Sequence, residues 1–72
     1  MTLDKVAVGG AVKIARLNGE GPVKRRIMDM GLTKGTEVKV CKIAPLGDPI
    51  QLTVRGYELS IRKDEAAAIE VE

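Results

Sequence analysis

The chain has no phenylalanine, no tryptophan and no histidine, and only one tyrosine, Tyr57, and one cysteine, Cys41. Each absence removes a class of function. Without aromatic rings there is no stacking platform for single-stranded nucleic acid, where a ring contributes about 1–3 kcal/mol per base. Without imidazole there is no side chain of unperturbed pKa near 7 to act as general base or proton shuttle, and the commonest metal ligand is missing. One thiol forms neither an internal disulfide nor a thiolate zinc cage, which fits a reducing compartment. No apolar run is long enough to span a bilayer, and Met1 to Lys5 lacks the basic-then-apolar pattern of a secretory signal. Twelve Lys and Arg against ten Asp and Glu leave a net charge of +2, too balanced for a dedicated binder of nucleic acid or anionic membrane.

What is present is a core set of Val, Ile, Leu, Met and Ala. At 72 residues, 44% of them hydrophobic, the chain reads as a single soluble cytosolic domain spanning 1–72. A domain of this size buries only about 60% of the surface of its unfolded chain, so its stability is expected to be modest.

The hydrophobic pattern changes period along the chain. Ala11 to Leu17 alternates in twos, as does Ile50 to Val54 and again Tyr57 to Ile61, the signature of half-buried strands. Glu37 to Ile43 carries Val38 and Val40 on one face but Cys41 and Ile43 on the other, a parity switch that predicts a bulge or burial on both sides. Arg55-Gly56 has the length of a tight hairpin turn, Lys63 to Ala66 reads as one helical turn, and Ile69 and Val71 as a closing strand. Between Val23 and Met30 the period is helical. At about 100° per residue, Val23, Ile27 and Met30 share an arc of roughly 60° that faces the core, while Lys24, Arg25, Met28 and Asp29 face away. Pro22 suits the first turn of this helix, and Gly31 suits the left-handed residue that ends it. About five short strands with one helix inserted after the first predict a mainly β protein, a small and partly closed barrel. The expected core is Val12, Ile14, Val23, Ile27, Met30, Leu32, Val38, Val40, Leu52, Val54, Leu59, Ile61, Ile69 and Val71.

Three spaced motifs carry a family resemblance. Arg-x-x-x-Met-Gly-Leu-x-x-Gly-x-x-Val-x-Val runs from Arg26 to Val40, Ala-Pro-Leu-Gly-Asp-Pro from Ala44 to Pro49, and Leu-x-Ile-Arg-Lys-x-Glu-Ala from Leu59 to Ala66. In this order they resemble the FeoA family, small cytosolic components of bacterial ferrous-iron uptake, and the likeness runs essentially end to end. The resemblance implies an SH3-like barrel and a non-enzymatic accessory role. It also implies a partner, the FeoB-type permease with its cytosolic guanine-nucleotide-binding domain. Similar domains close some iron-dependent repressors; the lack of a preceding DNA-binding segment favours the stand-alone protein.

Two surfaces are candidate partner sites. Met28, ringed by Lys24 and Arg25, is an outward apolar side chain among cations, suited to anchoring on a partner. The bland alternative has Met28 packed under the loop that follows β-strand residues 37–43, with the cations merely solvated. In that loop Pro45 and Pro49 restrict the backbone around Leu46 and Gly47 and present an apolar tip at low entropic cost; alternatively the prolines only stiffen a hairpin. Other residues have no functional reading. Cys41 is expected to be a small half-buried hydrophobe, and Asp64, Glu65, Glu70 and Glu72 solvated surface charge, so no metal or cofactor site is expected. The glycine pairs lack the Gly-Lys-Ser/Thr end of a phosphate loop, and no small-molecule substrate is expected. The alternative function is an SH3-like module that binds peptide or nucleic acid for another client. The missing aromatic groove and the near-neutral charge count against it.

Overall fold

A computed structural model describes all residues, 1–72. After a 3-10 turn at Leu3–Lys5, the elements run β1 (Ala11–Leu17), α1 (Gly21–Asp29), β2 (Glu37–Ile43), β3 (Ile50–Val54), β4 (Tyr57–Ile61), α2 (Lys63–Ala67) and β5 (Ile69–Val71). The strands form one antiparallel sheet in the order β4-β3-β2-β1-β5. Strands β4 and β5 do not pair with each other, so the sheet curls without closing, and the expected barrel is barrel-like rather than complete.

Two irregularities produce the curl. On β2 the register against β3 slips between Val40 and Lys42, which leaves Cys41 as the extra residue of a bulge at the point where the parity of the strand switches. On β1 the register against β5 slips between Ile14 and Arg16. A bulge bends its strand and increases its twist. Strand β1 therefore pairs with β2 through Ala11–Lys13 and with β5 through Ile14–Leu17. The outer edge of β5 is covered by the chain start: the Val71 N–H donates to the Met1 carbonyl, Thr2 bridges to Glu70, and the terminal ammonium lies 3.5 Å from the Glu70 carboxylate.

Strand β3, flanked on both sides, buries Ile50, Leu52 and Val54. In β4 the same alternation fades, since only Ile61 is buried while Leu59 is half-buried and Tyr57 exposed. An edge strand has neighbours on one side only, so its inward residues receive less cover. The β3–β4 turn is Arg55-Gly56, both at positive φ (49° and 86°), as a two-residue hairpin of right-handed twist requires.

The core is wholly aliphatic, with Leu3, Ile14, Ile27, Leu32, Val38, Val40, Leu52, Val54, Ile61 and Ile69 almost without solvent contact. Leu3, Val6, Ile50 and Ala66 belong to it beyond the expected set. Leu3 and Ala66 come from the two shortest helical pieces, too short to show a periodicity of their own. Val23 is a correction: it is exposed, its side chain resting against Gly19, where a Cβ would lie 3.2 Å from its Cγ1, and bordering an open hollow with Pro22, Arg26 and Arg62 instead of the core. Val12, Met30 and Leu59 pack on the core only in part.

Replacing Leu52 by Ala is expected to cost about 2–5 kcal/mol, through lost burial and the cavity left behind. Leu59→Ala, on the half-covered edge, should cost clearly less; urea unfolding of the two variants measures the difference.

Candidate functional site

Helix α1 is the only long helix, and its end decides where its outer face points. The Leu32 N–H donates to the Ile27 carbonyl at 3.2 Å and the Gly31 N–H to the Met28 carbonyl at 2.9 Å. This pair of bonds, with Gly31 at φ 87°, is the Schellman stop. It swings Leu32 back beside Ile27, both fully buried. The Tyr57 hydroxyl donates to the Met30 carbonyl at 2.9 Å, so the sole aromatic side chain of the protein clamps the helix end. A Cβ at Gly31 would lie 2.7 Å from that hydroxyl oxygen.

With Ile27 inward, Met28 stands half-exposed, at 47%. It does not pack under the Ala44–Pro49 loop. Met28 lines a hollow together with Leu17 and Arg16 from the end of β1, Lys24, and Thr33 and Lys34 from the turn after the helix. A second shallow hollow continues across Lys24, Arg25, Met28 and Asp29. Of the residues that the sequence singles out, Lys24, Arg25 and Met28 are therefore brought together. Arg16, Leu17, Thr33 and Lys34 were not singled out; they come from the end of β1 and the turn after α1, and only the tertiary fold brings them beside Met28.

The proline loop lies elsewhere. Leu46 is 94% exposed at its tip, above a turn closed by the Gly47 N–H to the Ala44 carbonyl (2.7 Å) and the Ala44 N–H to the Pro49 carbonyl (3.1 Å). Pro45 and Pro49 line a hollow with Lys42, Ala44, Gln51 and Ser60, and Pro49 a further one with Asp48, Arg26 and Arg62. No hollow joins the loop to Met28. Residues 26 and 28 are about 200° apart around a helix, so the loop borders the other flank of α1.

On that flank Glu65 corrects the expectation of solvated charge. It is only 6% exposed. One carboxylate oxygen accepts the Arg62 backbone N–H at 2.8 Å, capping α2, and the other lies 3.1 Å from the Arg26 Nε. The pair ties α2 to α1, which explains why a carboxylate is tolerated beside the core. Elsewhere, Cys41 is half-buried, its Sγ 2.7 Å from the Thr53 hydroxyl. No three His, Cys, Asp or Glu side chains come together as a metal-binding group.

The two regions differ in chemistry: one is an apolar floor with a cationic rim, the other an exposed apolar loop tip. Fold and surface together define a small, mainly β, SH3-like domain. The chain belongs to the FeoA family, since the FeoA domain model matches residues 1–72. The FeoA-like protein of Clostridium acetobutylicum, solved by NMR, is 47% identical and superposes with a TM-score of 0.93, covering 100% of this chain and 84% of that one. FeoA of Stenotrophomonas maltophilia, solved as a zinc complex and described as an SH3 domain protein, is 24% identical; it covers 100% of this chain and 89% of its own, with a TM-score of 0.86, and bears on the fold alone. A curated relative, the Fe(2+) transport protein A/Fe(2+) transporter FeoB fusion protein of Porphyromonas gingivalis, is 38% identical over 72 residues. That match spans 100% of this chain but only 8% of the fusion protein. No helix of this chain is long and apolar enough to cross a membrane.

Gly31→Ala is expected to lose about 1–3 kcal/mol from its left-handed backbone, with the clash at Tyr57 on top. Adding Tyr57→Phe should recover the clash but not the backbone cost, as thermal unfolding of single and double variants will register. For the buried carboxylate, Glu65→Ala should cost about 1–3 kcal/mol by orphaning the Arg62 N–H. Arg26→Ala, which leaves the buried Glu65 carboxylate with the Arg62 N–H but no cation, should also cost about 1–3 kcal/mol by the same denaturant measurement.

Proposed function

We propose that this protein is a non-enzymatic accessory component of bacterial ferrous-iron uptake, cytoplasmic, acting by protein–protein contact with the cytosolic GTP-binding part of a FeoB-type permease. The observation that carries this reading is the fusion relative, in which a sequence 38% identical to all 72 residues shares one polypeptide with an Fe(2+) transporter. Within such a fusion the covalent connection makes docking of the two parts intramolecular.

The contact is assigned to two points. One is the outer face of α1 at Lys24, Arg25 and Met28. The other is the loop at Pro45, Leu46, Gly47 and Pro49. Leu46 is the most exposed large apolar side chain of the protein, and side chains of this kind gain most from burial at an interface. The rim cations would act chiefly on association rate and salt dependence. Iron is the cargo of the permease in this scheme, and no metal ligand set is assigned to this chain.

Amide shifts of the isotope-labelled domain, titrated with the soluble nucleotide-binding domain of the permease with and without a GTP analogue, test the proposal. The expected result is perturbation centred on residues 24–30 and 44–49. The absence of any perturbation, both with that domain and with the full-length permease in lipid nanodiscs, would reject it.

A further inference from the structure

The hollow beneath Met28 has a composition that specifies its occupant, and the inference below rests on the docking role just proposed. Four cations surround or adjoin it: Arg16 from β1, Lys24 and Arg25 from α1, and Lys34 from the turn beyond the helix. None of them has a carboxylate within 4 Å. The two ion pairs of the protein are Met1–Glu70 and Arg26–Glu65, and neither involves this rim. Asp29 is the one carboxylate along the adjoining hollow. By contrast, the hollow between the loop and α2 is of mixed charge, with Asp48 and Glu65 facing Arg26 and Arg62. Four of the twelve Lys and Arg side chains, none of them in an ion pair, thus border one apolar floor made of Leu17 and Met28.

We infer that this hollow receives an acidic, amphipathic segment of a protein partner: a leucine- or methionine-sized side chain seated on Leu17 and Met28, flanked by carboxylates that meet Arg16, Lys24, Arg25 and Lys34. Charge complementarity sets the sign of the partner, because burying the floor beneath a neutral segment would leave the rim unmatched. The concave floor distinguishes the partner class. A phosphate backbone has no apolar group to fill it, and an anionic lipid surface is served better by a flat basic face. Methionine suits the floor, since its unbranched thioether adapts to the shape of the inserted side chain.

The test uses the intact labelled domain and defined probes. The first is a short glutamate-rich peptide with two central leucines. The controls are the same peptide with serines for the leucines, the same peptide with lysines for the glutamates, and vesicles of phosphatidylglycerol and phosphatidylcholine. The expected outcome is saturable shifts at Leu17, Lys24, Met28, Thr33 and Lys34 with the first probe only. Affinity should fall about tenfold on Lys24→Glu, Lys34→Glu or Met28→Ser, all at exposed positions where the fold is unaffected. Salt should weaken the charge contribution.

Equal binding of the serine peptide, binding to vesicles but not to the leucine peptide, or shifts elsewhere on the domain would each overturn the inference. So would no response at millimolar peptide. The permease titration separates this from the reading it rests on. Permease binding confined to residues 44–49 leaves the iron-uptake role standing and removes the hollow from it. Peptide binding in the hollow with no response to the permease retains the recognition chemistry and removes the assigned partner.

Discussion

The left-handed turn at Gly31 is the constraint on which most of this domain depends. It ends α1, reverses the chain and sends Leu32 back onto Ile27, so that helix and sheet share one apolar seam. In a core with no aromatic ring, that seam has no large side chain to fill an error of placement. Interiors are packed as densely as organic crystals, and a shift of the helix by a fraction of a turn would open voids that small aliphatics do not close. The Tyr57 hydroxyl holds the same point from the side of β4 by bonding the Met30 carbonyl. The hairpin at Arg55-Gly56 places Tyr57 there, so a two-residue turn in the sheet and the stop of the helix are parts of one device.

The remaining elements are arranged so that few residues curl a sheet of five strands around the core. Strand β1 bends at its bulge and serves two neighbours, β2 and β5, and the sheet stays open between β4 and β5. The chain start and α2 cover what the short β5 leaves exposed. Glu65 joins these parts at a second point. Its carboxylate is held between the Arg62 N–H and the Arg26 guanidinium, so α2 is capped and attached to α1 by the same side chain.

This arrangement bears on the docking role proposed for the outer face of α1. A helix pinned at its C-terminal end and sealed by Ile27 keeps Met28 and its neighbouring cations in one orientation, and preorganised groups lose little entropy on binding. The loop tip at Leu46 is presented with the same economy, on the other flank of the helix. A partner that meets both must wrap the helix, whereas a partner that meets one engages either a cationic hollow or a bare apolar tip. These are contacts of different chemistry, and they respond differently to salt.

Much of this was legible from residues 11–71 read in order. The strands at Ala11–Leu17 and Glu37–Ile43, the bulge near Cys41, the Arg55-Gly56 turn and the glycine stop of the helix follow from periods of 2 and 3.6 and from backbone freedom, which are local properties. The family resemblance was likewise readable, because it rests on residue types at fixed spacings, and so were Lys24, Arg25 and Met28 as an outward set. Tertiary structure alone decided which periodic positions found cover. Val23 has the right spacing but borders an open hollow; Glu65 has the wrong polarity but two donors waiting; Leu3 and Ala66 have no periodicity and are buried because two short pieces meet. The rim at Arg16 and Lys34 belongs to the same kind of fact. Local sequence determines the direction in which a side chain leaves the backbone, but burial and partnership depend on what a distant segment places in front of it.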